Sequence, residues 1–125
     1  MRVLLTAVLF SLGWFATPLP AQEAASIAGS WRGPWYRGMS SGVMVLRLSA
    51  DGKGTVSFTN LETFGELPAP LIRTRMQGDS FEFRASGASG RDFAAGVKQS
   101  ADGRMLRGTG RYEGFQVKFE LQRQE

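Results

Sequence analysis

The chain has 125 residues, 42% of them hydrophobic, 21% charged and 11% aromatic, an ordinary globular composition with room for one domain. It has neither histidine nor cysteine, which excludes histidine acid–base chemistry, thiol nucleophiles, disulfides, haem attachment and the common zinc sites. The formal net charge is +4, with acidic residues scattered among the basic ones, so nucleic acid is not an expected partner.

Met1-Arg2 precedes an apolar stretch from Val3 to Ala16, and Thr17-Pro18-Leu19-Pro20-Ala21 breaks it and ends on a small residue. This is the pattern of a signal peptide, with cleavage expected after Ala21 and a single domain over 22–125. The alternative is an uncleaved anchor, but the apolar stretch falls short of the roughly 20 residues that span a bilayer. With no cysteine to carry a lipid, the expected product is soluble, periplasmic or secreted, with no membrane span. In an oxidising compartment without disulfides, such a domain depends on a continuous apolar core.

After Ala21 no window keeps helical apolar spacing, whereas alternation with period two recurs throughout. A first strand is expected around Ile27 to Tyr36. Gly42 to Ser49 is apolar on both faces at its start, with Val43, Val45 and Arg47 on one side and Met44, Leu46 and Leu48 on the other. Gly54 to Asn60 offers Val56 and Phe58 to a core. Leu61 to Pro70 has no period and is the one long connection, a candidate lid over a barrel end. Leu71 to Gln77 alternates less cleanly, Ile72, Thr74 and Met76 against Leu71, Arg73 and Arg75. Ser80 to Ser86 turns Phe81, Phe83 and Ala85 inward, and Asp92 to Lys98 does so with Phe93, Ala95 and Val97. Met105 to Tyr112 carries Gly108 and Gly110 on the face of Leu106 and Tyr112, leaving room either for a large neighbour such as Trp31 or Phe119 or for a ligand. Phe115 to Gln122 alternates in full, with Phe115, Val117, Phe119 and Leu121 on one face.

The breaks fall at Asp51-Gly52, Gly78-Asp79, Gly87 to Gly90, Asp102-Gly103 and Glu113-Gly114, mostly residues that tolerate positive φ. Ser49-Ala50-Asp51-Gly52-Lys53 recurs as Ser100-Ala101-Asp102-Gly103-Arg104, which turn chemistry alone explains. The expected fold is all-β: an eight-stranded antiparallel meander closing into a small up-and-down barrel, with a two-sheet β-sandwich as the alternative.

Ile27-Ala28-Gly29-Ser30-Trp31 sets Gly-x-Trp in the first strand, and in this the chain resembles the lipocalin-like barrels. The resemblance implies that Arg123, near the end of the last strand, lies over Trp31 and closes the barrel bottom. The chain is shorter than that family and lacks its Thr-Asp-Tyr motif. It is also similar to the small β modules that precede hydrolase domains in some exported bacterial proteins, which share a Gly-x-Trp-x-Gly opening and repeated Asp-Gly hairpins.

Two function classes follow. Trp35, Tyr36 and Phe64 sit near strand ends, where they either cap the core or line a mouth for a small apolar ligand. The first reading is therefore an exported binding or interaction domain that uses this mouth. Arg73, Arg75, Arg84, Arg107 and Arg111 occupy outward positions; as a working surface rather than a solvated one, Arg73, Arg75 and Arg84 would contact an anionic envelope polymer or lipid headgroup. The second reading is thus an envelope accessory protein. No pair of carboxylates falls on an apolar strand face, so no enzyme is expected, and no motif holds a metal or cofactor.

Overall fold

A computed structural model describes residues 27–124; the expected signal peptide and its cleavage point lie outside them. Eight antiparallel strands follow one another in chain order: β1 (Gly29–Arg37), β2 (Ser40–Leu48), β3 (Gly54–Phe58), β4 (Ala69–Gln77), β5 (Ser80–Ser86), β6 (Asp92–Gln99), β7 (Met105–Tyr112) and β8 (Phe115–Gln124). Each pairs with the next, and β8 pairs back onto β1, so the meander closes into a barrel and leaves no free edge. The sandwich alternative is thereby set aside. No helix among the described residues is long and apolar enough to cross a membrane.

Two-residue turns set the register of three hairpins, at Gly38-Met39, Gly78-Asp79 and Glu113-Gly114. Glu113 and Gly114 both have positive φ, 54° and 80°, the backbone whose twist matches that of the flanking strands. The β2–β3 and β6–β7 turns repeat one geometry, as their shared Ser-Ala-Asp-Gly sequence requires. Asp51 Oδ1 accepts from the Ser49 hydroxyl and the Lys53 N–H, and Asp102 Oδ1 accepts from the Ser100 hydroxyl and the Arg104 N–H. These contacts hold both carboxyls below the ordinary carboxylate range, the serine hydroxyl being the larger cause and the backbone N–H the next.

Period-two alternation sends one side chain in two to the axis, where Trp31, Trp35, Met44, Leu46, Val56, Phe58, Phe81, Phe83, Phe93, Leu106, Tyr112, Val117, Phe119 and Leu121 are all buried. Phe58 is the hub of an edge-on aromatic cluster, its ring centroid 4.9 Å from that of Phe64 and 4.8 Å from that of Phe93. The two glycines of β7 face this core. A Cβ on Gly108 would stand 2.7 Å from the Phe119 ring, and one on Gly110 would stand 2.7 Å from the Phe93 ring. The space they leave is thus filled from the neighbouring strands, and small barrels are characteristically packed in this way.

Two strands depart from strict alternation. In β4 two residues, Arg73 and Thr74, stand between the pairs Ile72–Arg84 and Arg75–Glu82 where β5 has only Phe83, so one extra residue is inserted and Arg73 takes φ 56°. The bulge switches faces within the strand: Leu71 before it and Met76 after it both pack on the core, while Ile72 is 42% exposed. A single face holding Ile72, Thr74 and Met76 is therefore not formed. In β8 the core face begins at Val117, not Phe115, which is 59% exposed. At that level the barrel end is already occupied by Tyr112, the register partner of Phe115, and the Phe115 ring instead meets the Arg37 guanidinium at 5.0 Å.

Candidate functional site

Both barrel ends are closed by the chain itself. At the end carrying the β1–β2 and β7–β8 turns, the long connection 59–68 folds inward. Phe64 is 1% exposed and Leu61 2%. The segment is tied down at several points: Trp35 Nε1 donates to Thr59 O at 2.9 Å, Asn60 Nδ2 to Ser41 O at 2.9 Å and Ala88 N to Phe64 O at 2.8 Å. The Thr63 and Tyr112 hydroxyls lie 2.7 Å apart in a further hydrogen bond. At the other end the Arg123 guanidinium stacks 4.3 Å from the Trp31 ring, its Nη1 donates to Ala28 O at 2.8 Å and its Nε to Gly103 O at 3.2 Å. Trp31 Nε1 donates to Ile27 O at 2.9 Å.

This geometry separates the three aromatic residues considered for a ligand mouth. Trp35 and Phe64 are buried and form the plug, whereas Tyr36, one residue on along β1, points out of the wall and is 52% exposed. They do not converge on one opening.

The arginines do converge. Arg73, Arg75 and Arg84 line one depression on the outer wall, with Glu82, Ala94, Gly96 and Thr109 on its remaining sides. The β4 bulge aims this corner of the wall, since it places Arg73 and Arg75 on the solvent side of the strand, both exposed. A second depression shares Glu82, Gly96 and Thr109 with the first and continues across β6, β7 and β8 to Tyr36. Its added cations are Lys98, Arg107 and Lys118 and its added carboxylate is Glu120.

The trough exists because the outward residues in its middle, Ala94, Gly96 and Thr109, are small while those around it are long. Its six cations face two carboxylates, Glu82 and Glu120. Arg107 pairs with Glu120 at 2.9 Å, and Arg84 stands 3.9 Å from Asp92 with both side chains well exposed. Among the described residues neither Arg73, Arg75, Lys98 nor Lys118 forms an ion pair. A surplus of unpaired positive charge at a concave surface attracts anions, and the attraction falls as salt rises.

Sequence pattern alone identifies the outward arginines of β4 and β5 but not the extension to Lys98, Lys118 and Tyr36. That extension depends on which residues of different strands lie side by side. No group of three or more carboxylates suited to a metal ion occurs among the described residues.

No protein-family model matches the chain. No curated protein matches it either. Among solved structures it is similar to a redesigned β barrel, with a TM-score of 0.59 and 16% identity over 82% of this chain and 96% of that one. It is likewise similar to a de novo designed fluorescence-activating β barrel, with a TM-score of 0.54 and 14% identity over 82% of this chain and 98% of the other. At these identities the likeness concerns the barrel fold.

Proposed function

We propose that this protein is an exported, non-catalytic binding domain whose working surface is the outer wall of the barrel, and that the wall takes an anionic polymer. The observation that carries this reading is the convergence of Arg73, Arg75 and Arg84 on one depression beside the β4 bulge. Among the described residues the chain's own side chains take up the interior: both ends are plugged, and the two inward glycines of β7 are covered by phenylalanines.

Binding to dextran sulfate, followed by calorimetry at increasing ionic strength, tests the proposal. The expected result is association that weakens steeply with salt and is lost when Arg73, Arg75 and Arg84 are all replaced by Ser. Association that ignores salt, or that survives the triple replacement, overturns it. Export is tested separately by N-terminal sequencing of the secreted product, which should begin at Gln22.

A further inference from the structure

Following the β-sheet register sideways around the barrel connects residues that are distant in sequence. Arg75 lies opposite Glu82, Glu82 opposite Gly96, Gly96 opposite Thr109, Thr109 opposite Lys118, and Lys118 opposite Tyr36. All point outward, so they form one lateral row across the strands β4, β5, β6, β7, β8 and β1. At about 4.8 Å between neighbouring strands the row measures roughly 24 Å along the curved wall. Its floor dips at Gly96, where the Cβ position is open apart from the Glu82 side chain at 3.8 Å. A cation stands at one end, a second cation and an exposed aromatic ring at the other, with a carboxylate and a hydroxyl between them.

We propose that this row is the binding track of an acidic polysaccharide, in which charged sugars alternate with uncharged ones. The inference rests on the anionic-polymer reading above and narrows it. A row that follows the curve of the closed wall over this length fits a chain of several linked units rather than a compact ligand, and one strand spacing is about the length of one sugar unit in such a chain.

The charge pattern makes the further distinction. A polymer with a negative group on every unit would be repelled by Glu82, one strand in from Arg75. A chain with hydroxyl-bearing neutral units presents O–H donors there, which Glu82 accepts as charge-assisted hydrogen bonds and Thr109 extends. Arg75 and Lys118, four strand steps apart, then meet the carboxylates or sulfates on either side. Tyr36 offers an exposed ring face on which the C–H face of a pyranose stacks.

The test compares, by calorimetry at low salt, a hyaluronan oligosaccharide with polyphosphate and with an uncharged dextran of similar length. The expected order is hyaluronan first, with neutral dextran not bound. Tyr36→Ala should weaken hyaluronan by about fivefold while leaving polyphosphate unchanged, and Tyr36→Phe should restore it. Tyr36 is outside the core, so its replacement leaves the fold intact, which circular dichroism verifies. Glu82→Ala should lower the ratio of hyaluronan to polyphosphate affinity, because it removes a hydroxyl acceptor and a like charge together.

Equal binding of the two polyanions, insensitive to Tyr36→Ala, overturns the polysaccharide track while the anionic-polymer reading stands. Preference for vesicles of anionic phospholipid over hyaluronan overturns it in favour of a headgroup. Failure of every polyanion overturns both.

Discussion

Arg123 and Trp31 are register partners across the β1–β8 seam, and the guanidinium lies 4.3 Å from the indole ring centroid. The same side chain donates to Ala28 O and Gly103 O, so it joins the entry to β1, the β6–β7 turn and the last strand. Cation–π stacking over a partly desolvated indole and hydrogen bonds to carbonyls each contribute about 1 kcal/mol. Arg123→Ala should therefore lower the unfolding free energy by roughly 2 to 3 kcal/mol, read from urea denaturation. Arg123→Lys should recover only part of that loss, because an ammonium lacks the flat face and the fork of donors.

Phe119 and Lys118 are adjacent in β8 and point to opposite sides of the wall. Phe119 is 4% exposed and packs over Gly108, while Lys118 stands in the trough. Phe119→Asp places an unpaired charge in the core and should abolish cooperative unfolding. Lys118→Asp should change stability by less than about 0.5 kcal/mol, yet reduce polyanion binding. Equal thermal losses from the two replacements would contradict the register of β8.

Arg73 holds φ 56° in the β4 bulge, a backbone conformation that glycine adopts without strain. Arg73→Gly should leave stability unchanged or raise it by up to about 1 kcal/mol, whereas Arg73→Ala should give no such gain. Both should weaken dextran sulfate binding equally, since both remove the guanidinium. Thermal denaturation and calorimetry on the same samples separate the two effects.

Asp51 and Asp102 have carboxyls held below their ordinary value of 3.8 in the folded chain. A group whose acidity is strengthened by folding contributes stability above its unfolded pKa and loses that contribution as pH falls through the folded one. The pair Asp51→Asn, Asp102→Asn should therefore melt at a lower temperature than wild type at pH 7. The gap should narrow as pH drops below about 3.8, where the wild-type carboxyls take up protons. A gap that persists unchanged at pH 2 would show that the carboxylate charge is not what these turns use.

Most of the barrel was legible because one face of each strand is buried, and burial writes itself as alternation. Val117, Phe119 and Leu121 in β8 and Phe81, Phe83 and Ala85 in β5 occupy the core positions their spacing implies. The turns at Asp51-Gly52, Asp102-Gly103 and Glu113-Gly114 were equally plain, since positive φ restricts the residue types that can sit there. The bulge was not, because an inserted residue at Arg73 looks in sequence like a weak strand. Nor was the turn at Gly38-Met39, where a fully exposed methionine gives no turn signal. At the candidate site, the outward arginines were visible one strand at a time. Their meeting with Tyr36 and Lys118 was hidden, because lateral neighbours are set by register between strands, and periodicity within one strand carries no information about it.

Closure of β8 onto β1 has a kinetic side. Arg123 bonds to Ala28 across 95 residues, so the seam is assembled from opposite ends of the described chain, and the loop entropy of bringing them together must be met before the seam contacts form. The hairpins joined by short turns can form locally within microseconds, but until the seam zips, the partly folded sheet exposes two unpaired strand edges with apolar rows beside them. Folding speed and resistance to aggregation are thus governed by the same few pairings, from Ser30 with Gln124 to Tyr36 with Lys118. The two roles of the wall meet at that seam, because Tyr36 and Lys118, which end the proposed binding track, are also the last rungs by which the barrel shuts.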